Sequence, residues 1–148
     1  MKRLWKRAVI VGCSIGALSV LGLAFDTLTQ NKVLTEVRGV QLGMKQADVQ
    51  AKLGKPASKS SESADEFKLE GEDLLTVRYE NGMVMAIQWM ILDAKNAPPF
   101  NQVVGDAEIE QQDTGRKLAR KVITDEKFWV AMSQSKDASL TTITLRKM

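Results

Sequence analysis

The dipeptide Asn81-Gly82 constrains the fold of this chain more than any other feature of its sequence. Both residue types accept the positive φ angles of a type I′ turn, and apolar residues alternate on either side of them. The pattern therefore predicts a β-hairpin with strands over 74–80 and 83–92. A two-residue turn also fixes the register of the two strands, and with it the face to which each side chain points.

In a regular hairpin, the two faces have different characters. The first face is expected to form the core, and it carries Leu75, Val77, Tyr79, Val84, Ala86, Met90 and Leu92. On the second face, strand 74–80 is polar whereas strand 83–92 is again apolar, so something should cover this face or bind to it.

Met, Trp and Arg are enriched where proteins bind proteins. We predict a partner-binding surface there, formed by Met83, Met85, Ile87, Trp89 and Arg78. The alternative is that residues 97–148 fold over this face as a second core layer.

A short helix is predicted over residues 45–53, before the hairpin. Val49 and Leu53 are four residues apart and share one helical face, while Gly54 and Pro56 end the helix. A helix of this length needs a packing partner, so we expect it on the core face of the hairpin. Gln50 lies on the opposite helical face and is expected to contribute little to stability.

The patterns of the other segments are less distinctive. Residues 57–66 are rich in serine and predict a solvent loop. Residues 103–120 fit either a helix or a strand-loop-strand arrangement. Residues 127–132 and 140–146 predict a second hairpin. The fold class is therefore α+β, with short helices packed on a small antiparallel sheet.

An uncharged apolar run of 18 residues, 8–25, follows the basic sequence MKRLWKR. Its length is near the lower limit for a membrane-spanning helix, and the basic flank predicts a cytoplasmic N-terminus. We expect a single-pass protein of the inner membrane with an extracytoplasmic C-terminal domain. The alternative is a cleaved signal peptide and release into the periplasm. We divide the chain into this anchor or signal segment (1–25), a connector (26–38) and an α+β domain (39–148) with a C-terminal hairpin extension.

Two small-residue patterns lie within the apolar run. Gly12 and Gly16 form a GxxxG pair, through which two anchor helices can approach each other as a homodimer. Cys13 follows residues that resemble a lipoprotein cleavage box, but the apolar segment before it is short for a signal-peptide core. We interpret Cys13 as a thiol buried in lipid.

The composition argues against catalysis and against nucleic-acid binding. The chain has no histidine, and outside residues 1–7 it carries 17 basic and 18 acidic residues. Asp113-Thr114-Gly115 matches the aspartic-protease triplet but lacks the apolar strand before it, so we interpret it as a solvated turn. The carboxylates of residues 65–73 fit no calcium loop and are interpreted as a solvated loop and edge. We predict no catalytic residue, no cofactor and no metal site.

The run Gly43-Met44, Val49, Leu53-Gly54 and Pro56, followed by a strand ending in Asn81-Gly82, resembles the SmpA/OmlA family. These are small lipoproteins of the outer-membrane β-barrel assembly machine, and the β-lactamase-inhibitor-like group is similar in fold. The resemblance covers roughly residues 40–92 and implies two short helices on a small antiparallel sheet. Lys45 stands where the family has a capping Ser or Thr, and residues 97–148 extend past the family's usual C-terminus.

These patterns and the resemblance together predict a non-catalytic, membrane-anchored protein-interaction domain of the bacterial cell envelope. The expected partner is an envelope protein, and the resemblance implies a role in outer-membrane or envelope assembly. One alternative is an envelope sensor or small-ligand-binding module, marked by a pocket with converging polar groups. Another is an inhibitor of an envelope hydrolase.

Overall fold

An eight-stranded antiparallel sheet organises the part of the chain that the computed structural model describes, residues 32–61 and 63–148. In chain order the elements are β1 (Glu36–Val37), β2 (Val40–Gln41), α1 (Gln46–Leu53), β3 (Ser58–Ser61), β4 (Ala64–Lys68), β5 (Leu74–Glu80), β6 (Met83–Ile91), α2 (Phe100–Val104), β7 (Glu110–Gln111), β8 (Lys117–Ile123), β9 (Phe128–Gln134) and β10 (Thr141–Lys147). The strand order is β3-β4-β5-β6-β10-β9-β8-β7, and β1 and β2 form a separate hairpin. Short helices packed on an antiparallel sheet are thus confirmed, although the sheet is larger than predicted.

Helix α1 occupies the predicted segment. Val49 is fully buried, and Gly54 ends the helix with a φ of 83°. Lys45 at the N-cap makes no side-chain capping bond. Instead, the backbone N–H of Gln46 donates to the carbonyl of Gly82 at 3.0 Å, which satisfies one of the free donors at the helix start. The hairpin turn therefore holds the first turn of the helix.

The predicted hairpin forms, but its register shifts by one residue a short distance from the turn. Tyr79 faces Val84 as expected, whereas Arg78 faces Ala86, so Met85 is an extra residue in a β-bulge. Val77 consequently faces Ile87 instead of Ala86, and Leu75 faces Trp89 instead of Gln88. A one-residue shift moves every following side chain to the other face of the sheet.

This shift corrects the predicted division between the two faces. Ile87 and Ile91 are fully buried in the core, whereas Leu92 is exposed. Ala86 and Met90 leave the core side for the opposite face. The physical reason is burial, because the bulge exchanges Ala86 for the larger Ile87 inside the core.

Two further expectations are corrected. Residues 57–66 contain β3 and the start of β4, not a solvent loop. Residues 97–148 do not fold over the second face, because β10 pairs with β6 and extends the sheet sideways. Residues 103–120, which fit either a helix or a strand-loop-strand arrangement, contain the end of α2, a loop, and then the paired strands β7 and β8.

The core lies on one side of the sheet, under α1, α2 and the β1–β2 hairpin. It is formed mainly by Val37, Val40, Val49, Phe67, Leu75, Val77, Val84, Ile87, Ile91, Val103, Val104, Phe128, Val130, Met132, Ile143 and Leu145. Because Val37 is buried there, the packed domain includes residues before Gly39. On the opposite side, which we call the open face, the side chains whose burial is described are half-buried or exposed except for Ser133.

Within the described residues, no helix has the length and apolar character that a bilayer crossing requires. The predicted anchor, residues 8–25, lies outside the described residues, as do Gly12, Cys13 and Gly16.

Candidate functional site

Strand pairing places two arginines and a tryptophan in one row across the open face. Arg78 faces Ala86, Ala86 faces Arg146, and Arg146 faces Trp129. Neighbouring strands are about 4.8 Å apart, so the two arginine Cα atoms lie about 10 Å from each other. The small side chain of Ala86 leaves a depression between them.

A groove of about 360 Å³ occupies this depression. Its charged groups come from Arg78, Glu80 and Arg146, and its apolar walls are Met85 and Trp129. Thr76, Gln88 and Thr144 add polar side chains. The groove thus combines two cations and one anion with an aromatic and a thioether surface.

The β-bulge shapes this groove. In a regular strand, Met85 and Ala86 would point to opposite faces, whereas here both line the same depression. Bulges often redirect a side chain next to a functional site. Met85 lies on the face of Arg78 in the regular register too, so the bulge adds Ala86 to this face and moves Ile87 into the core.

The basic groups of the groove are available to a ligand. Among the described residues, no hydrogen bond or ion pair engages the guanidinium group of Arg78 or that of Arg146. Arg120 lies over the ring of Trp129, with its Cζ atom 4.6 Å from the ring centroid, and this cation–π contact holds the tryptophan in place. Free guanidinium groups can bind carboxylates through two parallel hydrogen bonds.

The five residues predicted to bind a partner are not all brought together. Arg78 and Met85 line the groove, and Met83 is 37% exposed at the turn end of the hairpin. Ile87 is buried in the core, and Trp89 is half-buried on the core side of the sheet. Sequence reasoning missed Arg146 and Trp129, although the alternation of Trp129 with the buried residues of β9 indicates that it points away from the core.

A second, smaller cavity of about 250 Å³ lies beside Trp89. Arg38, Glu70, Asp73 and Asn96 line it together with the tryptophan ring. The Cζ atom of Arg38 is 5.8 Å from the ring centroid of Trp89. None of the residues that line this cavity also lines the groove.

Asp65 forms a buried polar cluster under α1 and is only 1% exposed. Its Oδ2 atom accepts hydrogen bonds from Gln46 Nε2 at 3.1 Å, Gln50 Nε2 at 2.9 Å and the Tyr79 hydroxyl at 3.1 Å. Burial raises the pKa of Tyr79 far above its usual value, and the charge of Asp65 and its hydrogen bond raise it further. A phenol with so high a pKa keeps its proton near neutral pH and donates it to the hydrogen bond with Asp65, so we interpret the cluster as a link between α1 and the sheet.

The other acidic residues that the sequence singles out differ in their exposure to solvent. Asp73 is buried, and its Oδ1 atom accepts the backbone N–H of Leu92 at 3.1 Å, so Asp65 and Asp73 do not belong to a solvated loop as predicted. Asp113 lies exposed in the β7–β8 turn. Residues 32–61 and 63–148 contain no group of three His, Cys, Asp or Glu side chains that could hold a metal ion.

Comparison with known proteins shows that this chain is similar in fold to a protein of known structure. No family model matches the chain, and no curated protein matches it either. Among solved structures, the chain is similar to YjgB from Bacillus subtilis, a DUF4309 family protein, with a TM-score of 0.52 and 12% sequence identity. The similarity covers 80% of this chain and 89% of that one. At this identity, the two proteins share an architecture, and the similarity says nothing about a shared activity.

Proposed function

We propose that this chain is a non-catalytic protein-interaction domain of the bacterial cell envelope, held at the inner membrane by residues 8–25. Its open-face groove binds an acidic segment of an envelope protein. The resemblance of residues 40–92 to the SmpA/OmlA family supports an assembly role in that compartment.

The observation that carries this proposal is the pair of unengaged guanidinium groups in one row of the sheet. Arg78 and Arg146 are separated by Ala86, so two carboxylates about 10 Å apart on a partner can each reach one arginine. Among the described residues that line the groove, Glu80 is the only one with a carboxylate. The charge of the groove therefore favours an acidic ligand.

The apolar walls of the groove favour a protein segment as the ligand, rather than a small inorganic anion. Trp129 offers a large surface that loses little conformational entropy on binding. Met85 is unbranched and adapts to irregular shapes. An acidic segment that also carries an apolar side chain would use both kinds of contact.

The test is photocrosslinking in intact cells that express the full chain. A photoreactive amino acid in place of Met85 is expected to give a discrete adduct with one envelope protein. Arg78→Glu and Arg146→Glu should each abolish the adduct, because they place a carboxylate against the carboxylates of the partner. Lys55→Glu, a charge reversal at an exposed site near the end of α1, is the matched control and should leave the adduct unchanged.

Sequencing of the crosslinked peptide tests the chemistry of the partner. We expect aspartate or glutamate residues close to the crosslinked position. An adduct that survives both arginine reversals, or a crosslinked segment without carboxylates, would contradict the proposal.

A further inference from the structure

The cavity beside Trp89 brings together three turns of the chain. Arg38 comes from the β1–β2 turn, Glu70 and Asp73 from the connection between β4 and β5, and Asn96 from the segment that follows β6. The ring of Trp89 forms one wall. These groups are distant in sequence and are assembled by the fold.

Opposite charges line this cavity without pairing to each other. Arg38 makes no hydrogen bond or ion pair with any residue in the described part of the chain, and its Cζ atom lies 5.8 Å from the centroid of the Trp89 ring. Asp73 is only 2% exposed, and its Oδ1 atom accepts the backbone N–H of Leu92. The Oδ2 atom of Asp73 accepts no hydrogen bond from the described residues. The cavity thus contains a free cation beside a buried carboxylate with a free oxygen.

The ring of Trp89 lines the cavity, and its indole Nε1–H is buried without an acceptor among the described residues. Buried donors in proteins nearly always have a partner, and an exception requires an explanation. The signal of this N–H is therefore a sensitive probe for a ligand that binds against the ring.

The backbone on both sides of the cavity is held in an unfavourable conformation. Arg38 has a φ of 52°, and Glu72, next to the cavity-lining Gly71, has a φ of 69°. Residues other than glycine rarely adopt this region, and such strain concentrates at binding sites. The fold keeps Arg38 over Trp89 despite this strain.

We propose that this cavity binds a small zwitterion of the α-amino-acid type. The carboxylate of the ligand pairs with Arg38, its ammonium group binds Asp73 and Glu70, and its carbon atoms lie against the ring of Trp89. The volume of about 250 Å³ suits such a ligand, since cavities for drug-sized molecules begin at about 300 Å³. The site goes beyond the proposed function and does not depend on it.

The experiment is an NMR titration of the full chain in detergent micelles, observed at the indole N–H signals of its three tryptophans. The Trp89 signal is assigned by its loss in Trp89→Phe. Glycine, L-alanine and D-alanine are the probes, and at least one is expected to shift this signal to saturation. Alaninamide lacks the carboxylate and N-acetylalanine lacks the ammonium group, so neither should do so at the same concentrations.

Variants test the roles of the two charges. Arg38→Gln and Asp73→Asn should each weaken binding by about tenfold or more, as expected for the loss of a charge-assisted pair. The asparagine can still accept the N–H of Leu92, and a melting curve checks that the fold is kept. If Asp73→Asn unfolds, Glu70→Gln at an exposed position takes its place. Lys55→Gln is the control and should bind normally.

Two results would overturn the proposal. One is the absence of a saturating shift with all three amino acids. The other is a shift that remains equally strong in Arg38→Gln or that the two blocked analogues reproduce, since binding would then not require a zwitterion.

Discussion

Asp65 shows how a single buried carboxylate fixes the position of a short helix. Three donors, two from α1 and one from β5, converge on its Oδ2 atom, while its buried Oδ1 atom has no partner within residues 32–61 and 63–148. Hydrogen bonds to an ionised group are stronger than those between neutral groups. Helix α1 has only eight residues, so these bonds supplement the burial of Val49.

Gln50→Ala is therefore expected to destabilise the fold. Loss of its 2.9 Å hydrogen bond leaves Asp65 with fewer donors in a buried site, which costs about 1–3 kcal/mol. The neighbouring change Lys52→Ala, at an exposed position of the same helix, should stay within about 0.5 kcal/mol of zero. A urea titration measures both, and equal effects would mean that the cluster contributes nothing. The helical pattern alone predicts a negligible role for Gln50, because Gln50 lies on the helical face opposite Val49 and Leu53.

Tyr79 provides a test by pH, since it is the only tyrosine in the chain. Burial, the charge of Asp65 and their hydrogen bond all raise the pKa of Tyr79 in the folded protein above the usual phenol value of about 10. A raised folded-state pKa gives stability that is complete below the unfolded-state value near 10 and is lost as the pH rises above it. Phenolate absorbance should therefore appear only together with alkaline unfolding. Asp65→Asn should lower the phenol pKa, whereas titration of the folded wild-type protein near pH 10 would contradict the buried cluster.

At the scale of elements, the β-bulge marks the limit of prediction from the sequence. Asn81-Gly82 specifies its turn locally, through two residues with positive φ. Beyond Val84, the register depends on which side chains fit into the completed core. The sequence of β6 fits both the regular and the bulged register, because Met85, Ala86 and Ile87 are all apolar. Arg78 and Met85 were predicted as site residues and line the groove. Arg146 and Trp129 were missed because the pairing of β10 with β6 joins residues far apart in sequence.

The register predicts different effects for two neighbouring residues of β6. Ile87→Ala removes a fully buried side chain and should cost about 2–5 kcal/mol. Met85→Ala lies at the half-open groove and should cost less than about 1 kcal/mol. Free energies of unfolding from urea titrations compare the two. Equally small effects at Met85 and Ile87 would instead favour the regular hairpin register, which places both side chains on the open face.

At the scale of the whole molecule, the proposed anchor makes a prediction about mass. If residues 8–25 remain attached, protein isolated from the envelope should have the full chain mass of 16.4 kDa, apart from modification of its first methionine. Mass spectrometry of the intact protein measures this directly. A chain that begins near Phe25, or at a lipidated Cys13, would replace the anchor with a cleaved signal.

The strand order makes the C-terminal hairpin part of the sheet's centre. β10 lies between β6 and β9, and the core includes Phe128, Val130, Ile143 and Leu145 from this hairpin. The resemblance to the SmpA/OmlA family covers only residues 40–92. The competing interpretation is therefore that the C-terminal hairpin is an extension whose removal leaves the rest of the domain folded.

Removal of residues 117–148 should therefore unfold the rest of the domain. The deletion would leave β6 with an unpaired apolar edge, and α2 would lose its packing partners β8 and β9. We expect cooperative thermal unfolding, measured by circular dichroism, to disappear, whereas removing Met148 alone should leave it almost unchanged because Met148 is 60% exposed beyond the end of β10. A truncated chain that still melts cooperatively and protects the amides of β5 and β6 from hydrogen exchange would show that residues 32–116 fold without the C-terminal strands.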